Sequence, residues 1–264
     1  MLPLLQNLLS RRPNPPAGRA RLTRDWPALI YAIGDIHGCL SQLEALEREI
    51  VADAAGIEGE KWIVTIGDYV DRGSRSDGVI DHLIAPPPPG FERICLAGNH
   101  EAMLLDYLDN PTREAAWLRY GGLETLASYG IDPRRFIGLP RVQMRAELEA
   151  HIPQIHIAFM QGLPVMLTLP DLIFVHAGLN PALPLSAQAE SDLLWIREPF
   201  LSEEDTDLPR VVHGHTPGPD PVAMPHRIGL DTGAFATGVL TAARLRRDEP
   251  VRFIQTPGGA ANPL

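Results

Sequence analysis

The stretch TIGDYVDRGSRSDG, residues 65–78, begins as the end of an apolar strand and breaks at a glycine. It then places Asp68, Asp71 and Arg72 within five residues of one another. Because side chains alternate along an extended turn, we expect these three to point in different directions. The alternative is a local surface ion pair of Asp71 with Arg72, which would contribute only ~0–1 kcal/mol. What the loop does depends on the other loops that converge on it.

The same pattern of an apolar run followed by a polar or glycine-containing loop recurs along the chain. The runs are ALIYAI, KWIVTI, RICLA, DLIFV and RVV, and the loops after them are GDIHG, GDYVDRG, GNHE, HAG and HGHTP. Such runs are typical of buried strands with functional loops at their carboxyl ends. Two helical patterns, SQLEALEREIVADA and SDGVIDHLI, lie between the early strands, and Ser41 with Glu44 predicts a capping box. This order predicts an α/β layered domain.

The remaining segments define the organisation of the domain. The pattern is helical from Glu101 to about Gly162, which predicts a helical insertion over the strand ends. PVMLTLPDLIFVHAG predicts a hairpin turning at residues 169–171, and the sequence from Arg227 to Thr256 predicts several antiparallel strands. We therefore expect an N-terminal arm and Pro-rich linker (1–25), one domain (26–256) with its insertion at about 101–162, and a disordered tail (257–264).

Composition bounds the function. The chain has 264 residues, of which 45% are hydrophobic, enough for one large domain or one domain with an insertion. The formal net charge of −10 disfavours extended contact with a nucleic acid or an anionic membrane. A small anionic substrate remains compatible, because a metal site sets its own local field.

Targeting signals and cysteine usage favour a cytoplasmic protein. Cys39 and Cys95 are not in a C-x-x-C pair, which favours two reduced thiols. No apolar run approaches the ~20 residues of a membrane span. The N-terminus has leucines but no basic region ahead of them, which predicts a short amphipathic arm rather than a secretory signal.

Metal-ligating side chains follow the predicted strands. They are Asp35, His37, Asp68, Asn99, His100, His176 and His215. Side chains at the carboxyl edge of one sheet converge, and these groups are the ligands of a borderline cation such as Mn, Fe, Zn or Co. A lone histidine after a strand is usually structural, but five such loops in this order are hard to attribute to chance. The set exceeds what one ion needs, so we expect two ions ~3.5–4 Å apart with Asp68 between them.

The ordered loops resemble a known family. GDIHG, GDYVDRG and GNHE, followed by HAG and HGHTP, resemble the phosphoprotein phosphatase branch of the calcineurin-like metallophosphoesterases. The resemblance covers about residues 30–246, and GDYVDRG is more similar to this branch than to the phosphodiesterases of the wider superfamily. HGHTP and LLWIREPF are more similar to the bacterial and phage members than to the eukaryotic catalytic subunits. It implies an α/β fold, a two-sheet β-sandwich flanked by helices (αββα), with a helical insertion.

The resemblance also implies a ligand set for two divalent ions, with manganese favoured and iron, zinc, cobalt or nickel as alternatives. The implied ligands are Asp35 and His37 for the first ion, Asp68 as the bridge, and Asn99, His176 and His215 for the second. His213, the first histidine of HGHTP, would be a neighbour rather than a ligand.

Catalytic roles follow from the same motifs. His100 would be the general acid, with Asp71 holding and charging it, because a histidine that protonates an alkoxide needs a carboxylate to fix its tautomer. Arg72 would bind phosphate together with Asn99. A second phosphate arginine, Arg197, is expected in the W-x-R segment that starts at Trp195. The alternative for Arg197 is an ordinary helix-surface arginine.

These roles together predict a metal-dependent phosphomonoesterase. The resemblance favours a protein Ser/Thr phosphatase in which a metal-bound hydroxide attacks phosphorus directly. The expected partner is a phosphoprotein or a small phosphorylated molecule, not a nucleic acid. One alternative is a dinucleoside polyphosphate (diadenosine tetraphosphate) hydrolase. A second is a non-catalytic, metal-stabilised binding scaffold, which would need neither Asp71 nor His100.

Other polar and aromatic residues are assigned to structure. The histidines expected at the surface, or as satisfied or packed core groups, are His82, His151, His156 and His226. The aromatics expected in the core of the insertion are Trp117, Tyr120 and Tyr129, with the wall of a substrate groove as the alternative. The acidic run SEEDTD at 202–207 is expected to be a solvated loop.

Overall fold

The structure, a computed structural model, describes residues 19–203 and 207–258. Its strands form two sheets. The five-stranded sheet has the order β11–β10–β2–β3–β4, with β2 at Leu29–Ile33, β3 at Lys61–Thr65, β4 at Phe91–Cys95, β10 at Thr241–Leu245 and β11 at Arg252–Gln255. The six-stranded sheet has the order β1–β5–β6–β7–β9–β8, with β1 at Arg21–Thr23, β5 at Met166–Thr168, β6 at Leu172–Val175, β7 at Arg210–His213, β8 at Val222–Ala223 and β9 at Arg227–Gly229.

The two sheets share one core, and helices cover their outer faces. Alternate residues of the fully buried β2 point to opposite sides: Ile30 and Ala32 join a cluster with Phe174 and Val212 of the other sheet. Tyr31 and Ile33 of the same strand pack instead with residues of the flanking helices. This period-2 division gives each strand two apolar faces, as a layer between a sheet and helices requires. The predicted two-sheet sandwich flanked by helices is confirmed.

The helices lie between and beside the strands. They are α1 (Leu40–Asp53), α2 (Ser76–Ile84), α3 (Asn99–Asp109), α4 (Leu123–Ser128), α5 (Pro133–Phe136), α6 (Arg141–His151), α7 (Gln154–Gly162), α8 (Glu190–Trp195) and α9 (Ala234–Thr237), with a kinked segment at Leu118–Gly122 and a 3₁₀ turn at Leu185–Ala187. No helix in the described ranges is long and apolar enough to cross a membrane. Helices α3 to α7 form the predicted helical insertion between β4 and β5.

The chain directions confirm some local predictions and correct others. β5 and β6 pair antiparallel, as the predicted hairpin requires, and the backbone N–H of Leu169 donates to the carbonyl of Leu172 at 2.8 Å. β10 and β11 also form an antiparallel pair. β9, however, lies in the other sheet, where it runs parallel to β7 and antiparallel to β8, and its Ile228 packs in the core between the sheets.

The ordered structure starts earlier in the chain than the predicted domain boundary at residue 26. β1, within the predicted arm, pairs in parallel with β5, so the folded part begins before residue 26. Residues 1–18 of the arm and 259–264 of the predicted tail lie outside the described residues, as do residues 204–206 of the acidic run.

The capping box predicted from Ser41 and Glu44 is wrong. Helix α1 begins at Leu40, one residue before Ser41, and its N-cap residue, Cys39, makes no side-chain capping hydrogen bond. The Ser41 hydroxyl donates instead to Gln42 Oε1 at 2.8 Å. The helix starts early because the loop before it is bound to the neighbouring loop, with the backbone N–H of His37 donating to the Asp68 carbonyl at 2.8 Å.

Candidate metal centre and active site

The predicted ligands converge where the carboxyl ends of strands from both sheets meet. Loops after β2, β3 and β4 of one sheet and after β6 and β7 of the other carry all of them. The expectation of a single sheet edge was therefore wrong, because the sandwich brings two edges together. The ligands are all buried: Asp35, His37, Asp68, Asn99, His176 and His215.

Left-handed backbone, not alternation along an extended turn, directs these side chains. Among the described residues, positive φ angles at residues other than glycine occur at His37, Asp68, Asp71, Arg72 and His215. All five belong to the predicted site. Each such angle costs on the order of 1–3 kcal/mol unless the surroundings hold it. This backbone strain is therefore concentrated in the loops that carry the functional groups.

Asp68 lies at the centre of the cluster. Its Oδ2 is 3.4 Å from His37 Nε2, and its Oδ1 is 3.4 Å from His176 Nε2. Asp68 also belongs to both groups of side chains whose ligand atoms lie close enough together to hold an ion, one with His37 and His100 and one with His176 and His215. A carboxylate shared by two such groups has the geometry of a bridge between two ions.

The histidine tautomers leave lone pairs facing the centre. His37 Nδ1 and His176 Nδ1 lie 2.8 and 2.9 Å from the carbonyl oxygens of Val70 and Ile66, so each Nδ1 carries the proton and donates. Burial lowers the pKa of His37 well below its usual value and that of His176 to about 3, which keeps both rings neutral. His37 Nε2 is buried and has no hydrogen-bond partner among the described residues.

Buried acceptors crowd the same centre and fit divalent cations. His176 Nε2 and Asn99 Oδ1, both acceptors in this tautomer, lie 2.8 Å apart. Burial, together with the charges of Asp231 and Asp68, raises the pKa of Asp35 well above its usual value. Burial likewise raises the pKa of Asp68 to about 6. Neutral imidazoles, carboxylates and an amide oxygen in a buried cluster form the mixed N/O donor set of a borderline divalent ion.

The predicted proton-donating pair lies beside this centre. His100 Nδ1 is 2.6 Å from Asp71 Oδ2, and both residues are buried. Burial raises the pKa of Asp71 to about 8, while hydrogen bonds from Thr125 and Trp117 oppose that rise. Because Nδ1 contacts Asp71, the other ring nitrogen of His100 is left to face the centre, 3.8 Å from Asp68 Oδ2.

The two predicted phosphate arginines differ in how they are held. Arg72 Nη2 lies 3.2 Å from His100 Nε2, and its guanidinium lies over the Phe235 ring at 4.8 Å. Arg197 is exposed and lies two residues after the end of α8. It lies close enough for its charge to contribute, after burial and His176, to lowering the pKa of His215 to about 3. Arg72 is therefore built into the site, and Arg197 lies at its rim.

Three further residues at the site were not predicted from the sequence. Glu101 is buried, and its carboxylate accepts hydrogen bonds from the backbone N–H groups of Asp68 at 2.9 Å and Tyr69 at 2.7 Å. Asp231 is buried beside Asp35, and Phe235 packs edge-on against His37 at 5.6 Å. The signals were present: Glu101 ends the GNHE motif, and Asp231 follows β9 in the segment LDTG.

The histidines outside the site match their structural assignments. His213 is buried against Phe200, with ring centroids 5.0 Å apart, and is in neither candidate metal group. His82 Nε2 lies 2.7 Å from Glu47, and His156 contacts Tyr129 and Asp81, each at 2.9 Å. The remaining two, His151 and His226, are exposed and half-buried, respectively.

The aromatics of the insertion divide between core and groove. Trp117 is buried, and its indole N–H reaches Asp71, a contact that its assignment to the core did not anticipate. Tyr120 is 55% exposed and lines an open groove of about 1630 Å³. The groove begins at Arg72 and Phe235 and extends along the insertion past Arg119 and Arg134. Tyr120 therefore lines the groove, as the alternative prediction had it, and does not belong to the core of the insertion.

Comparisons with known proteins agree with this geometry. The calcineurin-like phosphoesterase family model matches residues 28–237. The chain is 28% identical to serine/threonine-protein phosphatase 1 of Salmonella typhimurium over 82% of this chain and 92% of that protein. It is 27% identical to the asymmetrical bis(5'-nucleosyl)-tetraphosphatase PrpE of Oceanobacillus iheyensis over 83% of this chain and 90% of that protein.

A solved structure shows the same fold. A crystal structure provisionally named a diadenosine tetraphosphatase superposes with a TM-score of 0.64 at 23% identity, covering 92% of this chain and all of that one. The family model spans every predicted metal ligand, and family members use a dimetal centre. The relatives are phosphatases, which sets aside a non-catalytic scaffold. The chain therefore belongs to the calcineurin-like phosphoesterase family and is a metallophosphoesterase that hydrolyses phosphate esters.

Proposed function

We propose that the protein is a dimetal phosphomonoesterase that prefers phosphoserine and phosphothreonine side chains in proteins. The observation that carries this proposal is the buried His100–Asp71 pair, 2.6 Å apart, next to the bridging position of Asp68. An alkoxide leaving from a serine or threonine phosphate needs a proton far more than a phenolate or a nucleotide phosphate does. The Salmonella typhimurium relative, a serine/threonine-protein phosphatase, supports the same substrate class.

Six residues would hold the ions. They are Asp35, His37, Asp68, Asn99, His176 and His215. Two divalent ions, with manganese as first choice, supply Lewis acidity toward water and toward the phosphoryl oxygens when bound. The six side chains are buried, so charges among them interact more strongly than they would in water.

The arginines and the amide of Asn99 bind the phosphoryl oxygens. Arg72 presents a planar guanidinium that lies over the Phe235 ring, 4.8 Å from its centroid. Arg197 adds a second guanidinium from the rim. A monoester has three non-bridging oxygens for these donors, whereas a diester has fewer at the attacked phosphorus. The site therefore favours monoesters.

His100 delivers the proton. Its Nδ1 is occupied by Asp71, so Nε2 is the atom that protonates the leaving oxygen as that oxygen takes the electron pair of the breaking P–O bond. Asp71 stabilises the imidazolium form of His100 before transfer and holds the ring orientation after it.

A second candidate, hydrolysis of a dinucleoside tetraphosphate, is favoured by the groove. Its volume of about 1630 Å³ exceeds what a phosphorylated serine side chain fills. Arg119 and Arg134 line it and have no ion-pair partner within the described ranges. The exposed ring of Tyr120 could stack a nucleobase, a contact worth ~1–3 kcal/mol. The Oceanobacillus iheyensis relative is a bis(5'-nucleosyl)-tetraphosphatase.

One kinetic comparison tests the proposal. Manganese-loaded protein is assayed for kcat/KM on a phosphoserine peptide and on diadenosine tetraphosphate under the same conditions. We expect the peptide to be preferred by at least ~10-fold, because only its leaving group requires His100. A preference for diadenosine tetraphosphate would overturn the protein phosphatase assignment and favour the second candidate.

Substitutions of two groove residues test whether the groove binds the dinucleotide. Tyr120→Ala and Arg119→Ala should leave hydrolysis of p-nitrophenyl phosphate unchanged, because neither residue contacts the catalytic pair or the metal ligands. If the dinucleotide is the true substrate, both variants should raise its KM. If both variants leave the dinucleotide KM unchanged, the groove does not bind nucleotides.

A further inference from the structure

Two residues of the helical insertion hydrogen-bond the carboxylate of Asp71. The indole Nε1–H of Trp117 is shared between both oxygens of Asp71, at 2.9 Å from Oδ2 and 3.1 Å from Oδ1. The hydroxyl of Thr125 donates to Oδ1 at 2.6 Å. Asp71 is wholly buried, so these donors and His100 take the place of water around it.

The position of the Trp117 ring is fixed by packing. Its centroid lies 4.5 Å from that of Tyr107, and a Cβ at Gly122 would overlap the indole. Trp117 directly precedes the kinked segment Leu118–Gly122, whose backbone leaves the helical region at Tyr120 and Gly121. The same segment reaches Arg72, whose backbone N–H donates to the Gly121 carbonyl at 3.2 Å. The insertion therefore contacts both Asp71 and Arg72.

We propose that Trp117 is a positioning residue for proton transfer, whose indole N–H holds Asp71 Oδ2 against Nδ1 of His100. The inference rests on the proposed role of His100 as proton donor. A carboxylate turns about its last bond, and only the Oδ2 that faces His100 can orient the imidazole. Trp117, whose N–H is shared between the two oxygens, and Thr125, which donates to Oδ1, together fix the plane of the carboxylate so that Oδ2 faces His100. Without the indole donor, Asp71 loses both this restraint and part of its charge stabilisation.

The test variant is Trp117→Phe in the full-length, manganese-loaded protein. Phenylalanine keeps an aromatic ring against Tyr107 but removes the N–H. We expect kcat on a phosphoserine peptide to fall by ~10–100-fold, the usual cost of removing an outer-shell partner. The loss on p-nitrophenyl phosphate should be much smaller, because its leaving oxygen needs little protonation. KM and bound manganese should not change.

Tyr107→Phe is the matched control. Tyr107 belongs to the same buried aromatic cluster, and its hydroxyl has no hydrogen-bond partner within the described part of the chain. It makes no contact with Asp71, so its removal should leave the ratio of the two kcat values at the wild-type level. If Trp117→Phe does not fold, Thr125→Val removes the other donor to Asp71, and we expect the same leaving-group dependence.

His100→Asn separates this inference from the proposed function. We expect it to keep its metal and to lose ~10²–10⁴ in kcat on the peptide, with a smaller loss on p-nitrophenyl phosphate. Equal losses on both substrates would refute the proton-donor role and, with it, the basis of the inference. If His100→Asn discriminates between the substrates but Trp117→Phe and Thr125→Val do not, the proposed function stands and the positioning role of Trp117 is refuted.

Discussion

His176 Nε2 lies 2.8 Å from Asn99 Oδ1, although neither atom can donate a hydrogen bond to the other. The proton of His176 is on Nδ1, which donates to the carbonyl of Ile66 at 2.9 Å. Two buried lone pairs at contact distance repel unless a cation lies beside them. The fold fixes the His176 tautomer, and this tautomer leaves two acceptor atoms in contact that a divalent cation would stabilise.

Metal removal should destabilise the protein. Ions that bind only the folded state stabilise it, by ~4 kcal/mol at a free concentration 1,000 times the dissociation constant. We expect a chelator to lower the melting temperature of the wild-type protein by several degrees, measured by scanning calorimetry. His176→Ala should show a much smaller response, since it lacks a ligand. An unchanged melting temperature for the chelated wild-type protein would show that the cluster does not bind ions strongly.

The two arginines should not be equivalent. Arg72 is held by Phe235 and by its backbone contact to Gly121, whereas Arg197 is exposed. Arg72→Lys should lower kcat by ~10²–10³, because an ammonium cannot replace a preorganised bidentate donor at the transferring group. Arg197→Lys should cost less. The measurement is kcat on a phosphoserine peptide for both variants.

Arg197 also bears on substrate class. Wild-type protein should prefer the phosphoserine peptide to bis(p-nitrophenyl) phosphate in kcat/KM, and Arg197→Ala should narrow that preference. A wild-type preference for the diester would contradict the monoesterase proposal. If Arg197→Ala has the wild-type kcat/KM on both substrates, Arg197 does not bind phosphate.

Gly121 should be essential for placing Arg72. Its φ of +107° favours glycine, and a Cβ there would overlap the backbone nitrogen of Arg72. Gly121→Ala should lower kcat by ~10², as expected for a displacement of about 1 Å at a catalytic group. Gly130→Ala is the control, because Gly130 also has a positive φ, +79°, but a Cβ there would meet nothing within 4 Å. Both variants should lose stability from the strained backbone, Gly121→Ala more because of the overlap, and similar kcat values would rule out the steric explanation.

The position of most ligands could be predicted from the sequence because each directly follows a strand. A strand fixes where its carboxyl end lies, so a loop such as GDIHG needs little else to place Asp35. Glu101 and Asp231 could have been found by the same reasoning. The contact of Trp117 with Asp71 could not, because it joins residues 46 positions apart through the packing of the insertion. Local periodicity carries no information about such a contact.

The left-handed residues were also beyond sequence reasoning. The positive φ angles at Asp68, Asp71 and Arg72 turn the backbone sharply and so set the directions of these side chains. A period-2 sequence pattern assumes extended backbone and cannot predict such turns. The start of α1 was also not predictable from local sequence. Hydrogen bonds between the loops after β2 and β3 set where the helix begins, and the capping box expected at Ser41 does not form.

A buried ion pair outside the site gives a test of the fold itself. Glu47 in α1 accepts from Arg93 at 2.8 Å and lies 2.7 Å from His82. Burial raises the pKa of Glu47, but the hydrogen bond of His82 and the charge of Arg93 outweigh it, so the pKa lies below its usual value. The resulting stability is present above the unfolded pKa of ~4.3 and is lost as pH falls through the folded pKa.

Glu47→Gln should therefore lower the free energy of unfolding at pH 7 by ~3 kcal/mol, because it leaves Arg93 buried without its partner. The difference from wild type should shrink in acid, as pH falls through the folded-state pKa of Glu47, which lies below the unfolded value of ~4.3. Urea unfolding at both pH values measures it, with the exposed Glu49→Gln as the control. An equal difference at both pH values would mean that the charge of Glu47 is not the cause.

Asp68 is proposed to join two metal ions into one catalytic centre. The most direct measurement is the metal content per chain of purified wild-type and Asp68→Asn proteins, by mass spectrometry, alongside kcat on p-nitrophenyl phosphate. We expect two ions per chain in the wild type, and loss of most metal and nearly all activity in Asp68→Asn, because one charge serves both ions. Two fully occupied ions in Asp68→Asn, or full wild-type activity without metal, would contradict the account.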